Sequence, residues 1–374
     1  MSLNGGVEIL KLARLVDAEA EQLSYLQYVA PQDIRDLREQ VTVVMFDADR
    51  QMLQRVASAT KLIPGKLAAV IGERAFGPLL CARVTGLLEP SRAVEIAGRL
   101  PTEFLAEVAV LLDPRRASRV IAEIPAKQIG EITSTLAERE EFIAMGGFVG
   151  HLPEASLRSA VDAVDDETLL LTAYVLETKS NLGALLGLLS EQRLESIIST
   201  AHELDLWVEA LDVLSYVSED QRGQLGDIAA AAEDEVLDGM VSAAEREGLW
   251  ADVLPVTRAM SPDSRTRFAK LESVQTRPIL EQIIGAAHEH RLWSPLIGFA
   301  IEFEHTTQLQ VADLIAGAED EVLDSLLEVM AQDGLQAELA GITSTLEDAD
   351  LERFSKRLGK RENGDQLCEA LEAA

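Results

Sequence analysis

The sequence predicts an all-α protein, an α-α superhelix whose C-terminal half is a solenoid of helical repeats. Composition is the first ground. Hydrophobic residues make up 47% of 374 residues but aromatics only 4%, and the abundance of Ala, Leu, Glu and Asp suits helices packed on helices rather than strands. A spacing is the second: Leu206-Trp207, Leu249-Trp250 and Leu292-Trp293 stand 43 residues apart, with Leu335 another 43 on. The third is an octet, EDEVLDGM at 233–240, which returns two periods later as EDEVLDSL at 319–326. Two independent markers agree on one period, the signature of a repeat array.

Each 43-residue unit reads as three short helices. Counting from the leading Leu, positions 0, 4, 7 and 11 hold Leu206, Ala210, Val213 and Val217, then Leu249, Val253, Val256 and Met260. The third unit has Leu292, Leu296, Phe299 and Phe303, and the fourth Leu335, Leu339, Ile342 and Leu346. That spacing keeps one helix face apolar through three turns. A second helix starts at Ser218, where Gln221 completes a capping box, and at Ser261, where Pro262 suits the first turn. Its apolar stripe runs Leu225/Ile228, Phe268/Leu271 and Val311/Leu314; in the fourth unit Phe354 keeps the register but Arg357 takes the next place, followed by Leu358. A third helix carries Val236, Leu237, Met240 and Val241, and their equivalents Ile279, Leu280, Ile283 and Ile284 behind Pro278. This three-helix unit resembles armadillo and HEAT geometry. The last unit partly loses its third helix to the charged stretch 360–365, as an end cap requires. Upstream, 193–207 still aligns with 236–250, whereas 150–190 loses the period. The 28-residue spacing of Ser190-Glu191-Gln192 from Ser218-Glu219-Asp220 suggests shorter two-helix units there.

Residues 61–150 carry a shorter repeat. Leu88-Glu89-Pro90-Ser91-Arg92-Ala93 returns 24 residues later as Leu112-Asp113-Pro114-Arg115-Arg116-Ala117, and Leu100-Pro101 as Ile124-Pro125. These are pairs of very short helices opened by Pro. Ile63-Pro64 and Leu152-Pro153 look like weaker flanking copies. The run from Leu112 to Pro125 and its copy at 88–101 resemble the cytoplasmic N-terminal domain of MgtE-type magnesium transporters, which is similar in turn to the middle part of the flagellar motor protein FliG. The resemblance covers about residues 60–160. It implies an α-superhelix that senses Mg²⁺ through acidic faces or relays contacts between subunits. No transmembrane pore or nucleotide-type regulatory pair accompanies it, so transport is not implied. Residues 1–60 are helical by pattern at 9–16 and 23–29. The chain thus divides into N-terminal helices (1–60), two-helix repeats (61–150) and the solenoid (151–374).

Charge is uneven. Net charge is −31; residues 1–150 hold 17 Lys/Arg against 20 Asp/Glu, while 151–374 hold 16 against 44. A surface so acidic repels phosphate backbones and anionic headgroups, which argues against nucleic acid as a partner. No window approaches the ~18–20 unbroken apolar residues of a membrane span. The N-terminus lacks a secretion-signal pattern, and two cysteines, Cys81 and Cys368, are too few for a disulfide framework. The expected location is the cytoplasm, without membrane insertion.

Few residues invite chemistry. His288-Glu289-His290 places its two imidazoles about 200° apart on a helix, too far round to share a site. His288 occupies the repeat position of His202 and Glu245, a polar surface place; His151 and His305 complete the five. The acidic triplets Asp165-Asp166-Glu167, Glu233-Asp234-Glu235 and Glu319-Asp320-Glu321 fit the first turn of a helix, with weak Mg²⁺ or Ca²⁺ binding between such faces as the other reading. Gly146-Gly147 reads as a joint between the two repeat types or, less naturally, a catalytic loop. The aligned tryptophans fit inter-unit packing or a ligand ladder on a concave face.

The expectation is a non-catalytic protein-interaction scaffold or adaptor, without cofactor or catalytic residues, whose acidic solenoid binds a protein with a basic surface. Metal ligands stay unassigned. The alternative is a soluble divalent-cation (Mg²⁺) sensing or regulatory protein related to the MgtE N-terminal domain.

Overall fold

The computed structural model describes residues 3–16, 18–47, 50–343, 348–361 and 368–369. Among them stand 25 α-helices and no β-strand. The chain is all-α. It forms two compact units, Met1–Leu188 and Leu189–Ala374, so the structural division lies beyond residue 150, where the repeat length changes.

In the C-terminal unit each repeat supplies three helices. The first repeat has Trp207–Leu214, Glu219–Ala231 and Asp234–Glu247; the second Trp250–Ala259, Pro262–Ala269 and Arg277–Glu289; the third Trp293–Ala300, His305–Gly317 and Asp320–Asp333. Gln336–Thr343 and Asp348–Leu358 follow in the fourth. First helices of successive repeats touch one another, and so do the third helices Arg277–Glu289 and Asp320–Asp333. That is stacking of like on like, which lets each repeat cover its neighbour's apolar face. Val253, Val256, Met260, Leu296, Phe299 and Phe303 are all buried, and Phe268 stacks on Phe299 with ring centroids 5.5 Å apart. Leu346 and residues 362–367 lie outside the described residues.

The capping predicted from sequence is present at Ser218, whose hydroxyl accepts from the Gln221 amide while the Gln221 side chain accepts from the Ser218 amide. The 28-residue spacing is a different matter. Ser190 caps Glu191–Glu203, which aligns with the third helices, whereas Ser218 caps a second helix. The shared motif marks two helix starts, not two copies of one unit.

Every repeat turns the same corner. Asp205, Gly248, Arg291 and Gly334, each 43 residues from the next, adopt φ of 54°, 71°, 57° and 72°. The amide that follows each of the first three donates back across the helix end: Leu206 to the Ala201 carbonyl, Leu249 to Ala244 and Leu292 to Ala287. This left-handed cap satisfies carbonyls that a helix end leaves open. Two corners use Gly at no steric cost, and two force a side chain into a region costing ~1–2 kcal/mol.

The misfit at Arg357 has a structural cause. In the second repeat Arg267 donates to the Ala232 carbonyl and the Asp234 carboxylate. Two periods on, Arg357 reaches the equivalent Ala318 carbonyl and Asp320 carboxylate, at 2.6 and 3.0 Å. It works from one turn later in its helix, and Phe354 and Leu358 beside it are fully buried. The polar residue in an apolar register is the clamp itself, displaced.

The N-terminal unit is built differently. Pro90 and Pro114 open the helices Pro90–Ala97 and Pro114–Ile121. Pro64, Pro101, Pro125 and Pro153 instead sit one residue outside their helices, with ψ of 137–154°. Proline fixes φ near the helical value, and the chain enters the helix at the next residue. Gly146 and Gly147 form no joint or loop. They lie within the helix Phe142–Phe148, where a Cβ on Gly146 would stand 3.3–3.4 Å from the Val175 and Thr172 carbonyls and Leu176 Cα. Glycine there sets a close helix crossing. Residues 23–28 belong to the 3₁₀ helix Ala20–Tyr28 rather than to an α-helix, and Val29 is its extended C-cap. Leu23 and Leu26, three apart, meet the buried Ile9, Leu12 and Ile34, a spacing that matches three residues per turn.

A buried ionic clasp closes this unit. Glu8 and Lys11 of the helix Leu3–Leu15 are 7% and 4% exposed. Lys11 Nζ lies 3.5 Å from both Glu8 and Glu177 and donates to the Leu176 carbonyl. Arg38 bridges Glu8 and Glu177 at 3.2 and 2.6 Å, and Arg35 donates to the Glu177 carbonyl. Segments 165 residues apart in sequence are thereby joined.

Candidate interaction surface

Four carboxylates of the acidic C-terminal unit line one groove. Its walls are the helices Glu191–Glu203 and Glu219–Ala231, and its far side is Ala259, Met260 and Ser261. The groove holds about 660 Å³ and is lined by Glu191, Glu195, Asp220 and Asp227, with no Lys, Arg or His in the lining. Glycine shapes it. A Cβ on Gly223 would collide with the Ala259 carbonyl, and one on Gly226 would lie 2.8 Å from Met260 Cγ, so only Gly lets these helices meet so closely. Asp227 accepts from the Ser261 amide and hydroxyl, both at 2.9 Å, which fixes the start of Pro262–Ala269. Glu191, Glu195 and Asp220 are exposed and free to meet a partner's charges.

A second acidic group lies on the first helices of two repeats. Burial, and then the neighbouring Asp205 and Asp212 carboxylates, push Glu209 above its ordinary value. Burial and Asp212 likewise raise Asp252, although Ser215 donates to it at 2.8 Å. Like charges crowded this way favour an approaching cation.

The acidic triplets stand at helix starts. Asp165 caps Asp166–Tyr174 by accepting from the Thr168 amide, and Glu233 and Glu319 hold the cap positions of their third helices. Asp234 is paired with Arg267, and hydrogen bonds from Arg357 and Arg361 hold Asp320 below the usual carboxylate range. Asp234 and Asp320 are thus engaged by arginines of the stack. Among the described residues no three His, Cys, Asp or Glu gather in a way that could hold a metal ion. His288 is half-buried on Arg277–Glu289, and His290 is exposed at its end. Burial pushes the Cys81 thiol up to about 11, far from a reactive thiolate.

The tryptophans form no surface ladder. Trp207, Trp250 and Trp293 are 4%, 1% and 0% exposed at the first position of their helices, and Trp293 Nε1 donates to Ser325 at 3.0 Å. They are packing residues, buried because a stacked repeat has to seal its largest apolar group against its neighbour. The groove at Glu191 and Asp220 had no sequence signal of its own, since it needs one third helix and the following second helix side by side. Among the described residues no helix is long and apolar enough to cross a membrane. No family model matches the chain, and none of the curated proteins or solved structures compared with it matches.

Proposed function

We propose that the C-terminal unit docks a basic segment of a protein partner and that the chain works as a non-catalytic scaffold or adaptor in the cytoplasm. The observation that carries this is the groove lined by Glu191, Glu195, Asp220 and Asp227 without a single cationic side chain. A Lys/Arg-bearing helix laid there would meet carboxylates from two neighbouring helices at once. Such complementarity steers association and selects partners. The resemblance of residues 60–160 to subunit-relaying domains supports an adaptor role for the other unit.

The test uses the full chain as bait, beside a variant carrying Glu191→Lys, Glu195→Lys and Asp220→Lys. These positions are exposed, and circular dichroism checks that the variant keeps its fold. A directly binding partner should lose about tenfold or more in affinity for the variant, and a similar factor between about 50 and 500 mM NaCl. Magnesium chloride at matched ionic strength separates screening from occupancy of the carboxylates. A partner that binds both chains equally at both salt concentrations removes the groove from the account.

A further inference from the structure

Fifteen of the 17 large hydrophobic side chains that stand exposed among the described residues belong to the N-terminal unit, and six of them fall between Met52 and Leu79. Single exposed hydrophobics are ordinary, whereas a cluster marks an interaction surface. The same stretch inverts the charge of the chain. Residues 50–88 hold six Lys/Arg and one acid, Glu73, in a protein of net charge −31. Arg55, Lys66 and Arg74 are exposed and form no ion pair among the described residues.

One helix concentrates both features. Gly65–Ile71 runs on into a π turn, Gly72–Phe76, a local widening that recurs at functional sites. Ala68, Ala69 and Gly72 form its buried side, and a Cβ on Gly72 would stand 3.3 Å from Cys81 Sγ. The other side carries Lys66, Leu67, Val70 and Arg74 at helical spacing, all exposed. Leu67 and Val70 are 48% and 41% exposed, and Leu62, just before the helix, is 87% exposed. A face that meets only water holds polar residues at such places. Here two apolar side chains stand between two cations about two turns apart.

The acidic groove has the inverse pattern. Glu191, Glu195 and Asp220 flank it, while Ile228, Ala231 and Met260 give it an apolar lining. We propose that its occupant is a second copy of this chain: the Lys66–Arg74 face of one molecule docks head to tail in the groove of another. Leu67 and Val70 lie on the apolar lining, and Lys66 and Arg74 meet the carboxylates, a helix-in-groove mode of recognition. The inference rests on the groove reading and names its partner. Residues 1–150 are close to neutral, with 17 Lys/Arg against 20 Asp/Glu, so they approach another copy's acidic half without strong net repulsion. An anionic membrane suits the basic face less well, because its headgroups repel the acidic half attached to that face. Each contact leaves one face and one groove free, so the assembly extends or closes into a ring.

Sedimentation velocity of the full-length protein between about 2 and 200 μM, at about 50 mM NaCl, reads the association. The average sedimentation coefficient should rise with concentration, and the apparent affinity should drop about tenfold at about 500 mM NaCl. Two charge reversals separate the surfaces: a face variant, Lys66→Glu with Arg74→Glu, and a groove variant, Glu191→Lys with Glu195→Lys and Asp220→Lys. Each alone should associate at least about tenfold less, with its helical circular dichroism unchanged. Mixed in equal amounts they should associate again, because the intact face of one meets the intact groove of the other. Leu67→Ser should weaken association roughly fivefold, which reads the face without touching its charge. A wild-type chain that stays monomeric throughout overturns the second copy and leaves the groove open to a foreign basic partner. Association kept by the face variant overturns the face alone, whereas association kept by the groove variant removes the groove from both readings. No recovery in the mixture overturns the head-to-tail pairing. A monomeric chain that pellets with phosphatidylserine vesicles, and a face variant that does not, would assign the face to a membrane and overturn the proposal.

Discussion

The two units handle polar groups in opposite ways. In the C-terminal unit, ion pairs and side-chain clamps join neighbouring repeats, as in Arg246 to Asp205, Arg267 to Asp234 and Arg291 to Glu328, and they lie near the surface. Their sequence separations are 41, 33 and 37 residues, about one repeat. In the N-terminal unit the decisive charges are buried, and Lys11 reaches a carbonyl 165 residues away. A stack held by nearest neighbours gains stability repeat by repeat. A unit closed by one long-range clasp must pay the loop entropy before any of the clasp forms, and it stands or falls as a whole. Repetition spreads stability, whereas closure concentrates it.

The sharpest way to break this contrast is Glu8→Ala. It leaves Lys11, Arg35 and Arg38 without their shared carboxylate in a site where Glu8 is 7% exposed. Removing one partner of a buried ionic group costs ~3–5 kcal/mol. Scanning calorimetry should show the transition of the N-terminal unit moving sharply down while that of the repeats stays in place. A loss below about 1 kcal/mol would show that the clasp is ornamental.

The same clasp has a pH signature. Burial tends to raise the Glu177 carboxyl, but Lys11 and Arg38 outweigh it and hold it below 4.5. A depressed carboxylate contributes stability that is present above its unfolded value and is lost as pH falls through the folded one. Burial lowers Lys11 from 10.5, against the pull of Glu177 and Glu8, so its share of stability increases as pH rises toward 10.5. Resistance to denaturant should therefore fall on acidification below about 4.5, and Glu177→Gln should flatten that limb.

The corners test the repeat side at smaller amplitude. Gly248→Ala places a side chain at φ 71°, where nothing crowds the new Cβ, so its cost is purely conformational, ~1–2 kcal/mol. Arg291→Gly at the equivalent corner should act in reverse. It relieves φ 57° and forfeits one exposed pair with Glu328, for a gain of up to about 1 kcal/mol. Opposite signs in thermal melts would establish one shared geometry, and equal signs would refute it. Smallest of all is Arg277→Ala, which removes exposed pairs with Glu281 and Asp313; a melt should register no more than ~0.5 kcal/mol.

Much of the repeat half was legible because its information is local and periodic. Leu-Trp pairs, capping residues and apolar stripes fix helix number and register without reference to distant chain. The corners were not legible, since Asp205 and Arg291 lack the glycine that announces a left-handed turn. Arg357 looked like a broken stripe because its partners, Ala318 and Asp320, sit a repeat away. Gly146-Gly147 has the composition of a joint, yet its small size serves a crossing against Thr172 and Val175. The clasp is invisible to any local window, because Glu8 and Glu177 look like ordinary surface acids. Net charge singled out the C-terminal half, but it could not choose which of the many carboxylates there line the acidic groove.

Under tension the clasp has a consequence of its own. A pull applied at the two ends of the N-terminal unit loads Lys11, Arg38 and Glu177 directly, because they lie close to both points of attachment. When that lock yields, up to 165 residues are released together, a gain in length of roughly 550–600 Å at full extension. A 43-residue repeat yields only about 150 Å, one step at a time. The chain joins a brittle link to a ductile one, and the length of the first rupture step would tell which of them gives way first.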